Sequence, residues 1–277
     1  MKHTIQTLKQ QKAKQEKIAM LTAYDYTTAK LMDEAGIEAI LVGDSLGMVM
    51  LGYEDTLPVT VEDIIHHTKA VARGVKNALI VADMPFMAYQ SSVRLALKNA
   101  GRLIKEGRAN AVKLEGARAI LPQVKALVAV GIPVMGHLGL TPQSVNIFGG
   151  YKVQARQEDA AAALIVAAKA LEKAGAFAIV LECIPTEVAA KITAAVKIPT
   201  IGIGAGKECD GQVLVYQDML GLYDGVKPKF VKQFLDGGVL FKKAFKEYIK
   251  ETKKGVFPSS EHCFKMQNKS TKQKGQG

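Results

Sequence analysis

Short runs of branched and aliphatic residues recur along the chain, separated by stretches of helix length with a mixed apolar and polar pattern. The runs at Ile18–Tyr24, Ala39–Asp44, Leu79–Asp83, Ala111–Glu115, Ile132–His137, Phe177–Glu182, Thr200–Gly204 and Gln212–Tyr216 are expected strands. Helices are expected over Tyr26–Ala35, Val61–Arg73, a segment opened by Ser91 or Ser92 and running to Glu106, Ile120–Val130, Glu158–Ala174 and Thr186–Val196. Runs that are apolar on both alternating positions describe strands buried on both faces, as in a parallel sheet covered by helices. Eight such strands alternating with helices predict a single-domain α/β protein, a (β/α)8 TIM barrel, rather than an open doubly wound sheet. Residues 1–264 are assigned to that barrel, and residues 265–277 to a Lys-rich tail too poor in apolar side chains to order.

Local punctuation supports these boundaries. Thr60 is placed to cap the helix at Val61, with Asp63 three residues on. Glu34-Ala-Gly36, Lys105-Glu-Gly107 and Lys173-Ala-Gly175 each stand just before a strand, where a glycine closes a helix in the left-handed conformation. Pro228–Glu251 reads as helical with a break at Gly237-Gly238. The polar, glycine-rich stretch from Leu138 to Gln157 is long enough to be a lid or an interface loop.

Four strands end in an acid: Asp44, Asp83, Glu115 and Glu182. One such acid is an ordinary helix cap, but four at the same end of parallel strands converge on one rim, the face where barrels assemble active sites. Side chains along a strand alternate, so Lys113 and Glu115 share one face while Val112 and Leu114 share the other. With the apolar face against the helices, both charges enter the barrel mouth, and Glu182 follows by the same parity with Val180 and Ala178. Asp44, Asp83 and Glu115 offer oxygen ligands from three successive strand ends, the chemistry that suits Mg²⁺ with water and an oxygen-rich substrate. His137, closing strand five, is placed to meet the metal's waters or the substrate. His66-His67 lie on a helix without a matching cluster and read as ordinary helix residues. Gly202-Ile-Gly-Ala-Gly206 resembles a phosphate-binding turn but is read as structural, since tight turns need glycine anyway.

The net charge of +11 raises the question of nucleic acid, but its placement argues against it. Five lysines against Glu16 make residues 1–17 basic, and four lysines do the same for residues 265–277, which leaves the body nearly balanced. No nucleic-acid motif accompanies these ends. No apolar run spans a bilayer, no secretory signal opens the chain, and the expected place is the cytoplasm. Cys183, Cys209 and Cys263 are widely spaced and read as reduced thiols. Cys183 adjoins Glu182 but has no evident partner as a nucleophile.

Several motifs together identify a family. Met20-Leu-Thr-Ala-Tyr-Asp25, Leu41-Val-Gly-Asp-Ser-Leu-Gly-Met48, Thr56-Leu-Pro-Val-Thr60, Ala82-Asp-Met-Pro-Phe-Met-Ala-Tyr89, Val112-Lys-Leu-Glu-Gly116, Leu181-Glu-Cys-Ile-Pro185 and Ile201-Gly-Ile-Gly-Ala-Gly206 match it. So does the long stretch from Gly136 through His137, Thr141-Pro-Gln-Ser144 and Phe148-Gly-Gly-Tyr151 to Val153. Over about residues 3–264 the chain closely resembles the ketopantoate hydroxymethyltransferases. The resemblance implies one Mg²⁺ per subunit held by Asp44, Asp83 and Glu115, a 2-oxo acid contacted by Asp44, Ser45, Asp83 and Lys113, and Glu182 as the catalytic base. It implies transfer of a hydroxymethyl group from 5,10-methylenetetrahydrofolate to 3-methyl-2-oxobutanoate through a Mg-stabilised enolate, giving 2-dehydropantoate for pantothenate synthesis. It also implies a homo-oligomer, a decamer of two stacked pentamers. The competing expectation is another Mg-dependent barrel lyase or mutase acting on a 2-oxo acid.

Overall fold

The computed structural model describes residues 2–223, 225 and 227–266. Eight parallel strands close on themselves in sequence order: β1 (Ile18–Thr22), β2 (Ala39–Val42), β3 (Leu79–Asp83), β4 (Ala111–Glu115), β5 (Val134–Gly139), β6 (Ala178–Glu182), β7 (Thr200–Ile203) and β8 (Gly211–Leu214). β8 returns to pair with β1, Ile18 lying opposite Gly211 and Leu21 opposite Leu214. The expected (β/α)8 barrel is thus present, with strand ends moved by a few residues. β1 stops at Thr22, β5 runs on to Gly139, and β8 ends before Tyr216, which starts a short helix (Tyr216–Met219) instead of ending the strand.

Strand parity sorts the side chains into two cores. Ala39, Leu41, Leu79, Val81, Ala111, Met135, Ala178, Val180, Ile201 and Val213 fill the barrel interior. Ile40, Val42, Ile80, Ala82, Val112, Leu114, Ile179 and Leu181 face outward, against helix residues such as Ile64, Leu103, Val124 and Leu171. Because residues two apart share a side, the inward series on β3, β4 and β6 ends in Asp83, Glu115 and Glu182.

The capping residues act as their chemistry directs. Thr60 Oγ1 accepts from the Asp63 N–H while an Asp63 carboxylate oxygen accepts from the Thr60 N–H, a reciprocal cap on Val61–Gly74. Ser92, of the two candidates, accepts from the Leu95 N–H at 3.2 Å. Gly36 and Gly175 take the left-handed conformation at their helix ends, but at the third join it is Arg108 (φ 68°) that does so. Gly107 is needed there for closeness, since a β-carbon would stand 2.6 Å from the Leu103 carbonyl oxygen.

Two elements depart from expectation. Residues 5–13 form a helix (Ile5–Ala13), opened by Thr4 and Thr7 in a reciprocal cap. Its Leu8 is fully buried at the foot of the barrel among the interior residues, and Lys12 Nζ donates to the Thr193 and Ile198 carbonyls and reaches Asp210 at 2.8 Å. The basic N-terminal segment therefore plugs the barrel. At the other end, the expected helix over Pro228–Glu251 begins only at Gly237, so the glycine pair opens Gly237–Lys253 instead of breaking it. Along that helix Val239, Leu240, Phe241, Phe245, Tyr248 and Ile249 are all exposed. Of the expected disordered tail, residues 267–277 lie outside the described residues. Among the described residues, no helix is long and apolar enough to cross a membrane.

A buried carboxylate secures the helix Tyr26–Glu34 to the turn that leads into β3. Asp33 accepts the backbone N–H groups of Lys76, Asn77 and Ala78 at 3.0, 2.9 and 2.7 Å. Burial pulls its pKa up, but these donors outweigh that and hold the carboxyl below its usual range. Asp33→Ala is expected to cost about 2–4 kcal/mol, since it leaves buried donors unmet. A depressed folded pKa means the contribution is complete at neutral pH and fades as pH falls through that value. Urea unfolding of the two proteins should therefore show a constant gap from about pH 8 to 5 that narrows only below the ordinary carboxylate range.

Candidate active site

The acids predicted from strand ends meet at the C-terminal mouth of the barrel. Asp83, Lys113, Glu115 and His137 are carried on β3, β4 and β5, and Asp44 sits two residues beyond β2; all five are 5% exposed or less. Glu182 closes β6 and is a little more open. Lys113 Nζ lies 2.8 Å from Asp83 Oδ1, 3.7 Å from Glu115 Oε1 and 3.2 Å from His137 Nδ1. His137 in turn stands between two carboxylates, with Nδ1 3.2 Å from Glu115 Oε1 and Nε2 3.2 Å from Glu182 Oε2.

Three of the four carboxylates have one oxygen fixed by an N–H donor. Asp83 Oδ2 accepts the Asp44 N–H at 2.9 Å, Glu115 Oε2 accepts the Gln143 N–H at 3.0 Å, and Asp44 Oδ2 accepts Gln143 Nε2 at 2.8 Å. Asp83 Oδ1 has the Lys113 ammonium as an ion-pair partner at 2.8 Å, whereas Glu115 Oε1 stands 3.7 Å from it, beyond hydrogen-bond reach. His137 Nε2 is unpartnered despite its distance to Glu182. Gly43 makes room for this packing: a β-carbon there would meet Ser45 Oγ at 2.9 Å and Asp83 Oδ2 at 3.3 Å. Ser45 Oγ is itself held 2.8 Å from the Tyr24 hydroxyl.

The electrostatics follow from this crowding. Asp44 is pushed well above the usual carboxylate range, first by burial and then by the Asp83 and Glu115 charges. Burial also raises Asp83, against the pull of Lys113. Glu115 ends low: burial acts upward, but His137, Lys113 and the Gln143 N–H outweigh it. Burial and Lys113 both act to lower His137, and the carboxylates on its two sides more than reverse them, to about 9. For Lys113, burial is likewise overcome by Asp83, Glu115 and Asp44, so the amine stays charged.

Acids therefore outnumber the two cations, and Asp83 Oδ1 and Glu115 Oε1 meet no N–H of the backbone or of an amide. That donor set fits a hard divalent cation, which takes carboxylate oxygens and fills the rest of its octahedron with water and substrate. Among the described residues, no three His, Cys, Asp or Glu groups by themselves enclose an ion. Such a cation would therefore lean on non-protein oxygens.

Other candidates fall away from the cluster. His67 Nδ1 lies 2.7 Å from the Tyr24 carbonyl oxygen, tying its helix to the loop after β1. The Cys183 thiol is pushed up to about 12 by burial and by Glu182, far from a thiolate nucleophile. Gly204 and Gly206 are packing glycines, since β-carbons there would strike Phe230 and Thr186. An apolar groove of about 820 Å³ lies outside the barrel, lined by Arg118, Leu121, Phe148, Leu164, Ala167 and Ala170. It contains none of the charged groups of the mouth. Sequence reasoning missed Gln143, Tyr89 and Gln90, which brace the acids from behind. The only signal for Gln143 was its place beside Thr141-Pro142 in the long polar loop.

The family model for ketopantoate hydroxymethyltransferase matches residues 2–260. The chain belongs to the ketopantoate hydroxymethyltransferase family. A 3-methyl-2-oxobutanoate hydroxymethyltransferase of Clostridium novyi is 65% identical over 266 residues, covering 96% of this chain and 97% of that one. Its counterpart in Enterococcus faecalis is 63% identical with the same coverage. The fold extends beyond the ketopantoate hydroxymethyltransferases. Phosphonopyruvate hydrolase, solved in complex with oxalate and Mg²⁺, superposes with a TM-score of 0.60 at 14% identity, covering 94% of this chain and 93% of that one. A 2,3-dimethylmalate lyase of the PEP mutase/isocitrate lyase superfamily does so at 0.59 and 15%, covering 95% and 93%.

Proposed function

We propose that this chain transfers a hydroxymethyl group from 5,10-methylenetetrahydrofolate to 3-methyl-2-oxobutanoate, giving 2-dehydropantoate in the first committed step of pantothenate synthesis. The observation that carries the reading is near-full-length identity above 60% to proteins named for that activity, in a chain whose barrel mouth gathers Asp44, Asp83, Lys113, Glu115 and Glu182. Asp44, Asp83 and Glu115 would hold one Mg²⁺, and the buried Asp83 Oδ1 and Glu115 Oε1, which no amide or backbone N–H engages, support that role. When bound, the ion supplies Lewis-acid polarisation of the 2-oxo group and acidifies the neighbouring C–H bond.

The remaining work belongs to the chain. Asp44, Ser45, Asp83 and Lys113 line the place for the 2-oxo acid, and the Lys113 ammonium offsets negative charge that grows on the substrate as its C3 proton leaves. Glu182 has no backbone N–H fixing its carboxylate among the hydrogen bonds described, and it stands apart from the Asp44–Asp83–Gln143 lattice. It is the group free to take the C3 proton as general base. His137, whose Nε2 lies 3.2 Å from Glu182 Oε2, would orient that carboxylate. The C3 carbon then bonds to the methylene of the folate as one of its two C–N bonds opens, and water replaces the second, so that the hydroxyl comes from water and the two freed nitrogens of tetrahydrofolate take up the C3 proton and one proton of water. The exposed apolar side chains along Gly237–Lys253 support a homo-oligomer, whose size the family resemblance puts at a decamer.

The test is exchange of the C3 proton of 3-methyl-2-oxobutanoate in D₂O, followed by NMR. The expected result is exchange that EDTA abolishes and Mg²⁺ restores. Turnover that survives exhaustive chelation would remove the metal from the reading. Absence of both exchange and turnover, with folate present, would favour a lyase acting on a different 2-oxo acid.

A further inference from the structure

Gln143 is a neutral residue, 5% exposed, placed by the turn Pro142–Ser144 directly behind two of the carboxylates. Its hydrogen bonds determine which way its amide faces. Nε2 donates to Asp44 Oδ2 at 2.8 Å and to the Met84 carbonyl at 3.0 Å. Oε1 accepts from Gln90 Nε2 and lies 3.0 Å from the Tyr89 hydroxyl. Rotating the amide by half a turn would set its oxygen against a carboxylate and a carbonyl, and its NH₂ against the NH₂ of Gln90. All four of its hydrogen-bonding positions are therefore used in one orientation only.

Tyr89 contributes the same order on the other side. Its hydroxyl accepts the Glu115 N–H at 3.0 Å and has a single proton, which Gln143 Oε1 can take. The backbone N–H of Gln143 also donates to Glu115 Oε2. One residue from the long loop after β5 thus grips one oxygen of Asp44 through its side chain and one oxygen of Glu115 through its main chain. The opposite oxygens are left for the barrel mouth.

We infer that Gln143 is a positioning residue for the cation site, fixing the rotation of the Asp44 and Glu115 carboxylates so that one oxygen of each is presented to the ion. The inference rests on the metal reading proposed above. A carboxylate free to rotate loses part of its preorganisation, and partners of this kind typically change metal affinity 10–100-fold. Gln143→Met keeps the length and volume of the side chain and removes the grip on Asp44.

Free Mn²⁺ is measured by its EPR signal during titration of the full chain, alongside thermal melting in EDTA and activity against Mn²⁺ concentration. Gln143→Met is expected to weaken Mn²⁺ binding at least about tenfold, with kcat at saturating Mn²⁺ recovering to within about threefold. Gln143→Glu, which keeps the shape and sets a carboxylate oxygen against Asp44 Oδ2, should weaken binding further, and it decides the matter if Gln143→Met does not fold. A lower melting temperature with unchanged Mn²⁺ affinity would make Gln143 a merely structural residue and overturn the inference. Failure of the wild-type chain to bind Mn²⁺ at all would overturn the metal reading, and this inference with it.

Discussion

Glu182→Gln should slow exchange of the C3 proton of 3-methyl-2-oxobutanoate by about 10²–10⁴-fold, the usual worth of a positioned general base. Binding of Mn²⁺ and of the 2-oxo acid should stay within about twofold of the wild-type chain, the margin within which loss of a purely catalytic group leaves ground-state binding. The expectation comes from geometry. Asp44, Asp83 and Glu115 each have an oxygen engaged by an N–H donor, whereas the Glu182 carboxylate meets only the edge of His137. A carboxylate held by donors on one side is a good fixed ligand, whereas the Glu182 side chain is left free to reach the substrate. The amide of glutamine keeps the shape and removes the basicity. Exchange at the wild-type rate in this variant would assign the proton to another group, and turnover lost without loss of exchange would place Glu182 in the later transfer step.

Lys113→Met should be the most damaging change to the folded state itself. The ammonium is the central positive charge of the cluster, within 3.7 Å of Glu115 and 2.8 Å of Asp83, and it is nearly inaccessible to water. Removing one member of a buried charge group strands the others, at a cost of about 3–5 kcal/mol. In EDTA, chemical unfolding should show a loss of that size, accompanied by activity near background. Mg²⁺ should restore part of the lost stability, because an ion that binds the folded chain alone stabilises it by mass action, and the stranded carboxylates would welcome the charge. Equal stability of the two chains in EDTA would mean that the acids relieve their repulsion by taking up protons, with Asp44, already pushed high, the first to do so.

Most of the barrel was legible because its signals are local. Ala111-Val-Lys-Leu-Glu115 specifies by alternation alone which side chains enter the mouth, and the observed strand places Lys113 and Glu115 there together. Asp44, Asp83 and Glu182 were visible for the same reason, as acids ending apolar runs. What escaped lies in contacts that no local pattern encodes. Gln143 reaches Asp44 across 99 residues, and nothing in a Thr-Pro-Gln-Ser turn says which way the glutamine points. The helix Ile5–Ala13 has only Ile5 and Leu8 to offer a core among its polar residues, so its periodicity is faint, yet Leu8 is completely buried. At Gly237-Gly238 two poor helix formers suggested a stop. The chain instead uses them where backbone approaches backbone: the Gly237 and Gly238 N–H groups donate to the Leu220 and Gly221 carbonyls at 2.8 Å each.

The plug at the foot of the barrel imposes an order on assembly. Lys12 leaves a ribosome long before the three oxygens it binds, which belong to Thr193, Ile198 and Asp210, between 181 and 198 positions later. Until those residues emerge, the amine has only water as a partner, and Leu8 waits for an interior that β7 and β8 have yet to complete. Contacts of such long sequence separation form late, after the entropy of closing the intervening chain has been met. The helix Ile5–Ala13, made before the strands it plugs, is thus among the last elements to find its place, held by Ile198 and Asp210, the residues that lead into β7 and β8.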